Sequence, residues 1–462
     1  MLSTKITDSN EKKQIINLAL FLLSIILVVV IESEMTHFSF IGITNNFIIV
    51  GACYLFLYLF LYYFRRDIFD VSRKTAFILV IIFIFILITR FITTLPNENL
   101  THIIPFALIP ILITIFYDTR LALFILLITL MLCCSMINNP YNLIFINLTA
   151  GIAAILSLSD INRKRKLLFS SFVITITYII VYPATVAKAT GSFSNVTIDE
   201  IKWFIFNGAL IFTAYPVIAL FERKFYFLSD ITLFELSDTR YPLLRRLSEE
   251  APGSYQHSLQ VANLAEAASK AIGANILLAR TGALYHDIGK IVSSQYFIEN
   301  QRGEHNPHFD LEPDESSKII IDHVAEGVKL AAKYKLPIQI IDFIRTHHGT
   351  TKAYFFYKKY LEMKKIRKGD EKLFTYTGPK PFSRELAIVM MADAVEAVSR
   401  TLEKFTEDNI IMVIDSVIML QEQDEQYADS PLTFRDITQI KEAFKVRLLQ
   451  IYHARIAYPA IN

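Results

Sequence analysis

Residues 15–31 read IINLALFLLSIILVVVI, an apolar run that is broken only by one Asn and one Ser. A helix of about 20 mostly apolar residues crosses a bilayer, so we predict a membrane span near 15–32. Seven further runs of this kind follow, and they lie near 46–64, 75–95, 103–117, 121–137, 143–158, 167–187 and 203–221. Eight apolar runs in succession, with Glu32 and Arg90 as their only charged residues, leave no polar face for water, which argues against a set of buried soluble helices.

The composition of the whole chain agrees with a membrane protein that also has a water-soluble part. Of the 462 residues, 53% are hydrophobic and 19% are charged, and the mean hydropathy is +0.40. These values exclude a disordered chain, a coiled-coil rod and a disulfide-stapled secreted domain. The net charge of +2 gives no reason to expect a nucleic acid polymer as a partner. All three cysteines lie in apolar stretches, so no Cys-rich zinc site is expected.

The averages hide a division near residue 221. We predict a polytopic membrane domain over 1–221, a linker helix over 222–250 and a helical domain over 251–462, which together give an all-α fold. Strand signals are poor after residue 250, whereas apolar residues recur at helical spacing. The linker has an apolar stripe, formed by Leu233, Leu236, Leu243, Leu244 and Leu247. Such a stripe suits a helix that packs on the next domain, and the alternative is a relay or dimer helix.

The basic residues of the loops predict the orientation of the spans, because cytoplasmic loops carry an excess of Lys and Arg. With the N-terminus in the cytoplasm, the inside loops hold 12 basic residues and the outside loops hold two. The inside set is Lys5, Lys12, Lys13, Arg65, Arg66, Arg73, Lys74, Arg120, Arg163, Lys164, Arg165 and Lys166, and the outside set is Lys188 and Lys202. The runs 103–117 and 121–137 are two spans or, because of Pro105 and Pro110, a re-entrant hairpin. Both alternatives leave the C-terminal half in the cytoplasm.

Histidines are concentrated in one part of the second half, where seven of the ten lie between positions 257 and 348. The candidate metal ligands are His257, His286, Asp287, His323, His347, His348 and Asp393. These five imidazoles and two carboxylates occupy helical positions in apolar surroundings, where titratable groups are costly to bury unless bound cations compensate them. Imidazoles and carboxylates without a thiolate suit Fe, Mn, Co or Zn in a hydrolytic centre.

The adjacent pair His286-Asp287 has a geometric use. Successive helix residues point roughly 100° apart, so His286 can bind one metal while the two oxygens of Asp287 lie between two metals. By count, one metal would take His257, His286, Asp287 and Asp393, and the other would take Asp287, His323, His347 and His348. Two metals about 3.5–4 Å apart polarise a phosphoryl group and lower the pKa of a shared water. The predicted target is therefore a phosphate ester.

Longer strings around these positions resemble a known family. The H…HD…D pattern is that of the HD phosphohydrolase superfamily, and the ordered strings are similar to its seven-transmembrane-receptor HD hydrolases, the PgpH-type cyclic di-AMP phosphodiesterases of bacteria. The strings are Gly-Ser-Tyr-Gln-His-Ser (253–258), Tyr-His-Asp-Ile-Gly-Lys (285–290), Phe-Ile-Glu-Asn-Gln (297–301), Asn-Pro-His (306–308), Thr-His-His-Gly-Thr (346–350) and Gly-Pro-Lys-Pro (378–381). The flanks 236–246 and 451–459 match as well, so the resemblance covers about 230–460 closely.

The resemblance implies a membrane-anchored enzyme that hydrolyses cyclic di-AMP to linear pApA in second-messenger turnover. It implies two divalent transition-metal ions, Mn or Fe, and a place in the bacterial inner membrane. Catalytic roles would fall to His286 and Asp287, with Lys290 near the phosphate. Asn300, His308 and Arg384 are weaker candidates for substrate contact, with loop capping or surface charge as the alternative. The expected partners are the cyclic dinucleotide, the lipid bilayer and, for a dimeric enzyme, a second copy of the chain.

The sequence departs from the family pattern at one place. The family usually has a large extracellular domain between its first two spans, but only about 33–45 separate them here. A ligand captured outside by such a domain is therefore not expected, and the spans either sense directly or merely anchor the enzyme. The Gly-Tyr-Pro string that marks cyclic di-GMP relatives is absent, since Gly349 is followed by Thr-Thr-Lys-Ala-Tyr.

Three other functions remain open at this point. The first is a di-metal phosphohydrolase for another nucleotide, such as cyclic di-GMP or a mononucleotide, because adenine specificity rests on the resemblance alone. The second is a membrane receptor that binds a nucleotide without turnover, although such a receptor would have no use for seven metal-binding side chains. The third is a transporter, which is disfavoured because the apolar runs hold no chain of Asp, Glu or His residues that could carry protons or ions.

Overall fold

The computed structural model describes residues 2–35, 38–137, 139–158, 165–301, 306–366 and 368–452. The basic residues at 5, 12, 13 and 163–166, together with His305 and His453, lie outside the residues whose side chains it describes. Within the described ranges the chain is helical and has no strand; one isolated bridge pairs Lys352 with Thr375. The chain divides into two compact units, residues 1–231 and 232–462, each with its own contacts. The predicted all-α fold class is thus confirmed.

The first unit consists of long apolar helices. They are α1 (Leu2–Met35), α2 (Phe40–Phe64), α3 (Arg66–Phe69), α4 (Ser72–Thr93), α5 (Leu108–Phe116), α6 (Thr119–Cys133), α7 (Pro140–Ser157), α8 (Arg165–Thr190), α9 (Ile198–Leu210) and α10 (Ala214–Phe225). Eight segments are long and apolar enough to cross a membrane: 14–34, 40–64, 72–93, 98–116, 119–136, 140–157, 167–190 and 198–225. Each of the eight predicted runs falls on one of these segments.

The fourth of these segments differs from a regular span. It begins with a 3-10 turn, Glu98–Ile103, and continues as the short helix α5 after a break that contains Pro105. Proline has no N–H to donate, so the ladder of helical hydrogen bonds is interrupted there. All residues from 104 to 115 are buried, which makes α5 the central helix of the first unit. A two-residue connection, Tyr117 and Asp118, leads into α6, and Asp118 caps its first turn.

The segment predicted as one linker helix over 222–250 consists of three helices. Helix α10 ends at Tyr226, which has a positive φ of 55°, and α11 (Asp230–Leu236) and α12 (Pro242–Glu250) follow. Pro242 stands at the start of α12, where its missing N–H is tolerated. The apolar stripe is buried within the second unit, as its five leucines are at most 4% exposed. Residues 222–231 belong to the first unit and 232–250 to the second.

The second unit continues with eight helices. They are α13 (Pro252–Ile272), α14 (Ile276–Tyr285), α15 (Pro313–Lys333), α16 (Ile338–Thr346), α17 (Tyr354–Lys364), α18 (Arg384–Ser399), α19 (Glu407–Gln423) and α20 (Phe434–Tyr452). Short 3-10 segments at 288–296, 298–300 and 307–310 connect α14 to α15. Several helices start with a side-chain cap, for example Asn275 before α14 and Ser383 before α18.

Helix α13 lies at the centre of this unit and packs against α12, α14, α18 and α20. It ends at Gly273, whose positive φ of 65° is the left-handed conformation that glycine adopts most easily. Because α14 and α18 both pack on α13, polar side chains on their facing sides come close to one another. This packing positions the site described next.

Candidate metal centre

The structure brings the seven predicted ligand residues together in the second unit. His257 lies on α13, His286 and Asp287 follow α14, His323 lies on α15, His347 and His348 follow α16, and Asp393 lies on α18. Six of the seven are buried, and His348 is partly exposed. Within the described residues, the groups of His, Cys, Asp and Glu whose ligand atoms converge are His323–His347–His348, His257–His286–Asp393 and His286–Asp287–His347.

The carboxylate of Asp287 lies between two sets of imidazoles. Its Oδ2 atom is 3.3 Å from Nε2 of His286 and 3.7 Å from Nε2 of His257. Its Oδ1 atom is 3.4 Å from Nε2 of His323 and 3.7 Å from Nε2 of His347. The two oxygens therefore face different histidines, and a single carboxylate can serve two ligand sets.

Asp393 completes the first set and His348 the second. Oδ1 of Asp393 lies 2.8 Å from Nε2 of His257 and 3.6 Å from Nε2 of His286. In the second set the ring of His348 is 4.0 Å from the ring of His347, between centroids. Nδ1 of His348 is also 3.9 Å from the other oxygen of Asp393, so the two sets are adjacent.

Hydrogen bonds on the far side of the rings fix which nitrogen faces the centre. Nδ1 of His286, His323 and His347 each donates to the backbone carbonyl three residues earlier in the chain. With its proton on Nδ1, a neutral imidazole presents the lone pair of Nε2. The three rings are therefore held in the tautomer that a metal ligand needs.

Glu396 plays the same part for His257, and the sequence interpretation missed it. One oxygen of Glu396 bonds to Nδ1 of His257, and the other lies 2.6 Å from the guanidinium of Arg400. Glu396 is 2% exposed. The signal was in the string Met-Ala-Asp-Ala-Val-Glu-Ala, since residues three apart on a helix share a face and Glu396 follows Asp393 by three.

The neutral state of His347 and His348 and the unpartnered atoms of the cluster fit divalent cations. Burial, reinforced by His348 and His286, holds the pKa of His347 well below its usual range, and burial lowers the pKa of His348 to about 3. Nε2 of His286 and Oδ1 of Asp287 are buried and have no hydrogen-bond partner among the described residues. Neutral imidazoles and ionised carboxylates are the donors that divalent metals bind, so these residues can hold such metals.

Lys290, which lies in the 3-10 segment 288–296, forms ion pairs at the centre. Its Nζ atom lies 2.7 Å from Oδ2 of Asp287 and 2.9 Å from Glu299. Burial opposes the charge on Lys290, but Asp287 and Glu299 outweigh burial and raise its pKa. Glu299, which also accepts a hydrogen bond from Ser254, was not among the predicted residues although it lies in the quoted string 297–301.

The three weaker substrate candidates make structural hydrogen bonds instead. Asn300 exchanges hydrogen bonds with Ser254 in the first turn of α13. His308 bonds through Nε2 to the carbonyl of Tyr296, and Arg384 donates to the last carbonyl of α13. None of the three is among the described residues that line the cavity at the centre. These contacts match the loop-capping alternative, and a substrate role for the three remains a prediction without geometric support.

A close backbone approach holds α15 against the segment after the His-Asp pair. A Cβ atom added to Gly289 would lie 1.8 Å from the carbonyl oxygen of His323, and one added to Gly327 would lie 2.7 Å from the side chain of Ile344. No side chain fits at Gly289 without moving the backbone that carries His323. The glycine of the string Tyr-His-Asp-Ile-Gly-Lys therefore brings His323 within reach of Asp287.

A cavity of about 1020 Å³ opens beside the centre. One wall holds His257, His347, His348, Asp393 and Lys290. Other parts of the lining are apolar, with Met390, Val417 and Leu420, or polar and uncharged, with Thr350, Gln421 and Gln426. Further charged residues also line the cavity: Glu299, Lys352, Glu396, Arg400 and Asp424. The cavity is at the upper end of the size range of small-molecule sites, which is about 300–1,000 Å³.

Comparison with known proteins identifies relatives over most of the chain. PgpH of Bacillus subtilis, named a cyclic-di-AMP phosphodiesterase, is 34% identical over 438 residues, which are 90% of this chain and 60% of that protein. PgpH of Listeria monocytogenes is 32% identical over 89% of this chain and 58% of its own length. The chain thus spans about 60% of the length of these relatives. The crystal structure of the Listeria PgpH HD domain with cyclic-di-AMP is 41% identical and covers 47% of this chain and 100% of its own, with a TM-score of 0.45.

Two family models match in succession. Residues 38–229 match the model described as a 7TM receptor with intracellular HD hydrolase, and residues 254–398 match the HD domain. The first match contains seven of the eight candidate spans, and the span 14–34 precedes it. Over 38–229 and 254–398 the chain is therefore similar to seven-transmembrane receptors with an intracellular HD hydrolase domain.

Proposed function

We propose that this chain is a membrane-anchored, metal-dependent phosphodiesterase that hydrolyses cyclic di-AMP to linear pApA in second-messenger turnover. The observation that carries this proposal is the carboxylate of Asp287, whose two oxygens face two sets of histidines. A shared carboxylate is the feature that distinguishes a two-metal hydrolytic centre from a single structural site. The names of the Bacillus and Listeria relatives support the choice of substrate.

We expect two divalent transition-metal ions, Mn or Fe. The first set of ligands would be His257, His286, Asp287 and Asp393, and the second would be Asp287, His323, His347 and His348. When bound, such a pair polarises a phosphoryl group and lowers the pKa of a water molecule towards about 7. The backbone carbonyls and Glu396 behind the rings keep the ligand nitrogens in place during this chemistry.

The remaining steps fall to side chains of the cavity. Lys290 keeps its positive charge beside Asp287, where it can donate a hydrogen bond to a non-bridging phosphate oxygen. In the hydrolysis, a water oxygen adds to one phosphorus, the bond from phosphorus to the 3′ oxygen breaks, and that oxygen takes up a proton. The ring opens, and the product carries a terminal 5′-phosphate.

The shape of the cavity suits the rest of a cyclic dinucleotide. Met390, Val417 and Leu420 offer apolar surface against which a base can pack. Gln421 and Gln426 also line the cavity, and their buried amides are already bonded to Met390, Tyr427, Thr350 and Asp424. Gln426 is itself held by Thr350, whose backbone N–H donates to Oε1 of the amide at 3.0 Å.

We further propose that the N-terminus and the HD domain lie in the cytoplasm of a bacterial cell, with the first unit as a multi-pass anchor in the inner membrane. The excess of basic residues in one set of loops supports this orientation. A homodimer is part of the same proposal, and the mass of the purified chain by light scattering tests it. A monomer at micromolar concentration would exclude a stable dimer.

The test of the catalytic proposal uses the full chain in lipid nanodiscs with Mn²⁺ or Fe²⁺. We expect pApA as the product of cyclic di-AMP, measured by chromatography. His286→Ala and Asp287→Asn should abolish turnover, whereas Asp415→Asn, which changes an exposed carboxylate paired with Lys441, should leave it unchanged. Loss of turnover in His286→Ala and Asp287→Asn, with turnover retained in Asp415→Asn, would link the reaction to this centre.

Two results would contradict the proposal in different ways. A higher kcat/KM for cyclic di-GMP than for cyclic di-AMP would assign the centre to another nucleotide. Binding of cyclic di-AMP without any product, in a chain whose metal content is two per molecule, would indicate a receptor that does not turn over its ligand.

A further inference from the structure

A second cavity, of about 440 Å³, lies in the first unit between α4, α5 and α10. Its lining residues belong to the third, fourth and eighth candidate spans, over the stretches 81–92, 103–112 and 210–221. The cavity is therefore within the length of the spans and not in a loop at a membrane face. We call it the span cavity.

The lining of the span cavity is almost entirely apolar. Of the 14 described residues that form it, only Thr213 has a hydrogen-bonding group on its side chain. The hydroxyl of Thr213 donates to the backbone carbonyl of Leu210 at 2.6 Å, so its proton already has an acceptor. A water molecule inside a protein needs about two to four polar partners. The side chains of this cavity do not supply them, so we expect an apolar occupant.

Two breaks in the spans border the span cavity. The fourth span is broken between its 3-10 turn and α5, where Ile103 and Pro105 belong to the lining. The last span is broken by a 3-10 segment at 211–213, where Leu210 and Thr213 belong to the lining. The cavity thus lies where two neighbouring spans depart from the regular helix that would pack without a gap.

A buried amide fixes the break in the fourth span. Nδ2 of Asn207, on α9, donates to the backbone carbonyls of His102, at 2.9 Å, and Ile104, at 2.8 Å. Irregular backbone inside a membrane is tolerated where the protein itself supplies the missing hydrogen bonds. Asn207 supplies two of them, so the wall that carries Ile103 and Pro105 is held in its irregular course. The span cavity is therefore stabilised by specific hydrogen bonds.

The span cavity has a buried floor and an exposed rim. Phe85 and Leu112 form part of the floor, with 4% and 3% of their surface exposed. Ile84 and Leu220 lie on the rim, with 37% and 53% exposed. Ile84 is near the middle of its span, where an exposed side chain faces hydrocarbon and not water. The cavity therefore opens sideways into the bilayer.

The length of the span cavity matches one leaflet. The cavity borders α4 from Ile81 to Ile92, and at a rise of 1.5 Å per residue this distance is roughly 16 Å. The hydrocarbon core of a bilayer is about 30 Å thick, so one leaflet accounts for about 15 Å. Ile81 is near the middle of α4 and Ile92 is next to its end. An apolar chain that reaches from a membrane face to the bilayer centre would fill this space.

We propose that the span cavity binds one fatty acyl chain of a phospholipid from the surrounding bilayer. The chain would enter between Ile84 and Leu220 and would lie against Phe85 and Leu112. With the orientation proposed above, the end of α4 is at the outer face, so the phospholipid belongs to the outer leaflet. The proposal goes beyond the phosphodiesterase function and does not require turnover.

Photocrosslinking of the full chain tests the proposal. Nanodiscs of phosphatidylglycerol would contain a small fraction of the same lipid with a diazirine in the middle of one acyl chain. After irradiation, mass spectrometry assigns the labelled residues. We expect labels to concentrate on Phe85 and Leu112, because a bound chain stays next to them. Leu55 and Phe56 of α2, which are 54% and 56% exposed and lie outside the lining, should show the lower yield of passing lipids.

Two valines with different surroundings provide a matched pair of variants. Val217 belongs to the lining, whereas Val80 of α4 is 38% exposed and lies outside it. In Val217→Trp the indole would occupy the cavity, so the label on Phe85 should fall at least about fivefold. Val80→Trp adds the same side chain at the surface and should leave the label on Phe85 unchanged.

Three results would overturn the proposal. They are equal labelling of Phe85 and the α2 surface, an unchanged label on Phe85 in Val217→Trp, and an isoprenoid or free fatty acid as the one hydrocarbon that remains with the chain after purification in detergent. If Val217→Trp fails to fold, Leu220→Trp takes its place, because the rim needs no interior space for the indole. Leu87→Trp, at a 43% exposed leucine of α4 outside the lining, is then the control.

Discussion

Four of the five imidazoles of the metal centre are oriented by acceptors on their far side, and three of these four acceptors are backbone carbonyls. Glu396 is the exception, because it gives His257 a charged acceptor instead of a neutral one. A carboxylate behind a ligand histidine raises the basicity of the nitrogen that faces the metal. Arg400, at 2.6 Å, holds Glu396 in place. The affinity of His257 for a metal thus depends on a side chain, which can be substituted, whereas the other three rings depend on backbone carbonyls.

We expect Glu396→Gln to lower the metal affinity of the purified chain by roughly 10- to 100-fold, the usual effect of losing such a partner. The amide keeps a hydrogen-bond acceptor but removes the charge, so excess Mn²⁺ should restore most of kcat. Metal titration followed by activity measures both quantities. Glu403→Gln, an exposed neighbour on the chain, is the control. An unchanged metal affinity in Glu396→Gln would show that the carboxylate only fills space.

The protonation of His286 predicts how metal loading depends on pH. Burial lowers the pKa of His286, but the adjacent Asp287 outweighs burial and raises it to about 10 in the metal-free chain. Below that pH the ring carries a proton that a metal must displace. Metal affinity should therefore rise as the pH increases from 6 to 9. The rise reflects His286 wherever the other ligand groups have already lost their protons. Calorimetry in buffers of different ionisation enthalpy should show net proton release, and none would contradict this protonation state.

Helix α13 connects the ligand positions to the rest of the second unit. It carries His257, and its first turn is bonded to Asn300, which lies 46 residues further along the chain. Oδ1 of Asn300 accepts from the backbone N–H of Ser254 at 3.1 Å, so a distant side chain satisfies a donor that a helix start leaves without a partner. The short 3-10 segment 298–300 is thereby fixed next to Lys290 and Glu299.

Asn300→Ala tests whether this residue is a cap or a contact to substrate. As a cap, its loss should lower the stability of the second unit by about 1 kcal/mol and leave KM for cyclic di-AMP unchanged. Denaturant unfolding and initial rates give the two values, and Ser254→Ala serves as the comparison on the other side of the same bond. A raised KM at unchanged stability would instead assign Asn300 to the substrate.

At the scale of the whole molecule, the chain is two units that each have their own core, residues 1–231 and 232–462. The core of the first is built from long apolar side chains, and all seven predicted metal ligands lie in the second. Ligands that bind only one folded unit stabilise that unit alone. The stability of the second unit should therefore depend on bound metal, and the stability of the first unit should not.

We expect two thermal transitions for the chain in nanodiscs, of which only one depends on metal. A chelator should lower that Tm by several degrees, because binding free energy in such a site is also folding free energy. Calorimetry with and without excess Mn²⁺ measures the shift. His286→Ala should make the metal-dependent transition insensitive to Mn²⁺, and a chelator effect on both transitions would contradict this division.

The orientation of the spans can be tested with cysteines placed at the two membrane faces. In a chain whose three native cysteines are replaced by alanine, Ser192→Cys should react with a membrane-impermeant maleimide in intact cells. Asp70→Cys, in the exposed turn before α4, should react only after the cells are permeabilised. The opposite pattern would reverse the proposed orientation.

Local patterns predicted most of the elements. Eight apolar runs gave eight candidate spans, because the length and polarity of a run depend on adjacent residues only. The linker was predicted as one helix over 222–250, because its apolar stripe agrees with a continuous helix. The left-handed residue Tyr226 and the loop before Pro242 divide it, and the burial of Leu243 in the second unit was not visible in the stripe.

Contacts between distant residues were the part of the site that could not be predicted. The seven ligand types are recognisable because few residues bind metals, whereas a glutamate such as Glu396 is usually an exposed charge. Its partner His257 lies 139 residues away, and only the packing of α18 on α13 brings the two together.

The close backbone approach at Gly289 and Gly327 has a consequence for the mutational tolerance of the protein. Neither residue has a functional group, yet a methyl group at Gly289 would collide with the backbone at His323. In a complete substitution library selected for phosphodiesterase activity, position 289 should be as intolerant as the histidines. A second substitution to a smaller side chain nearby should not restore activity to a Gly289 variant. The added methyl group would collide with main-chain atoms, which no side-chain substitution removes.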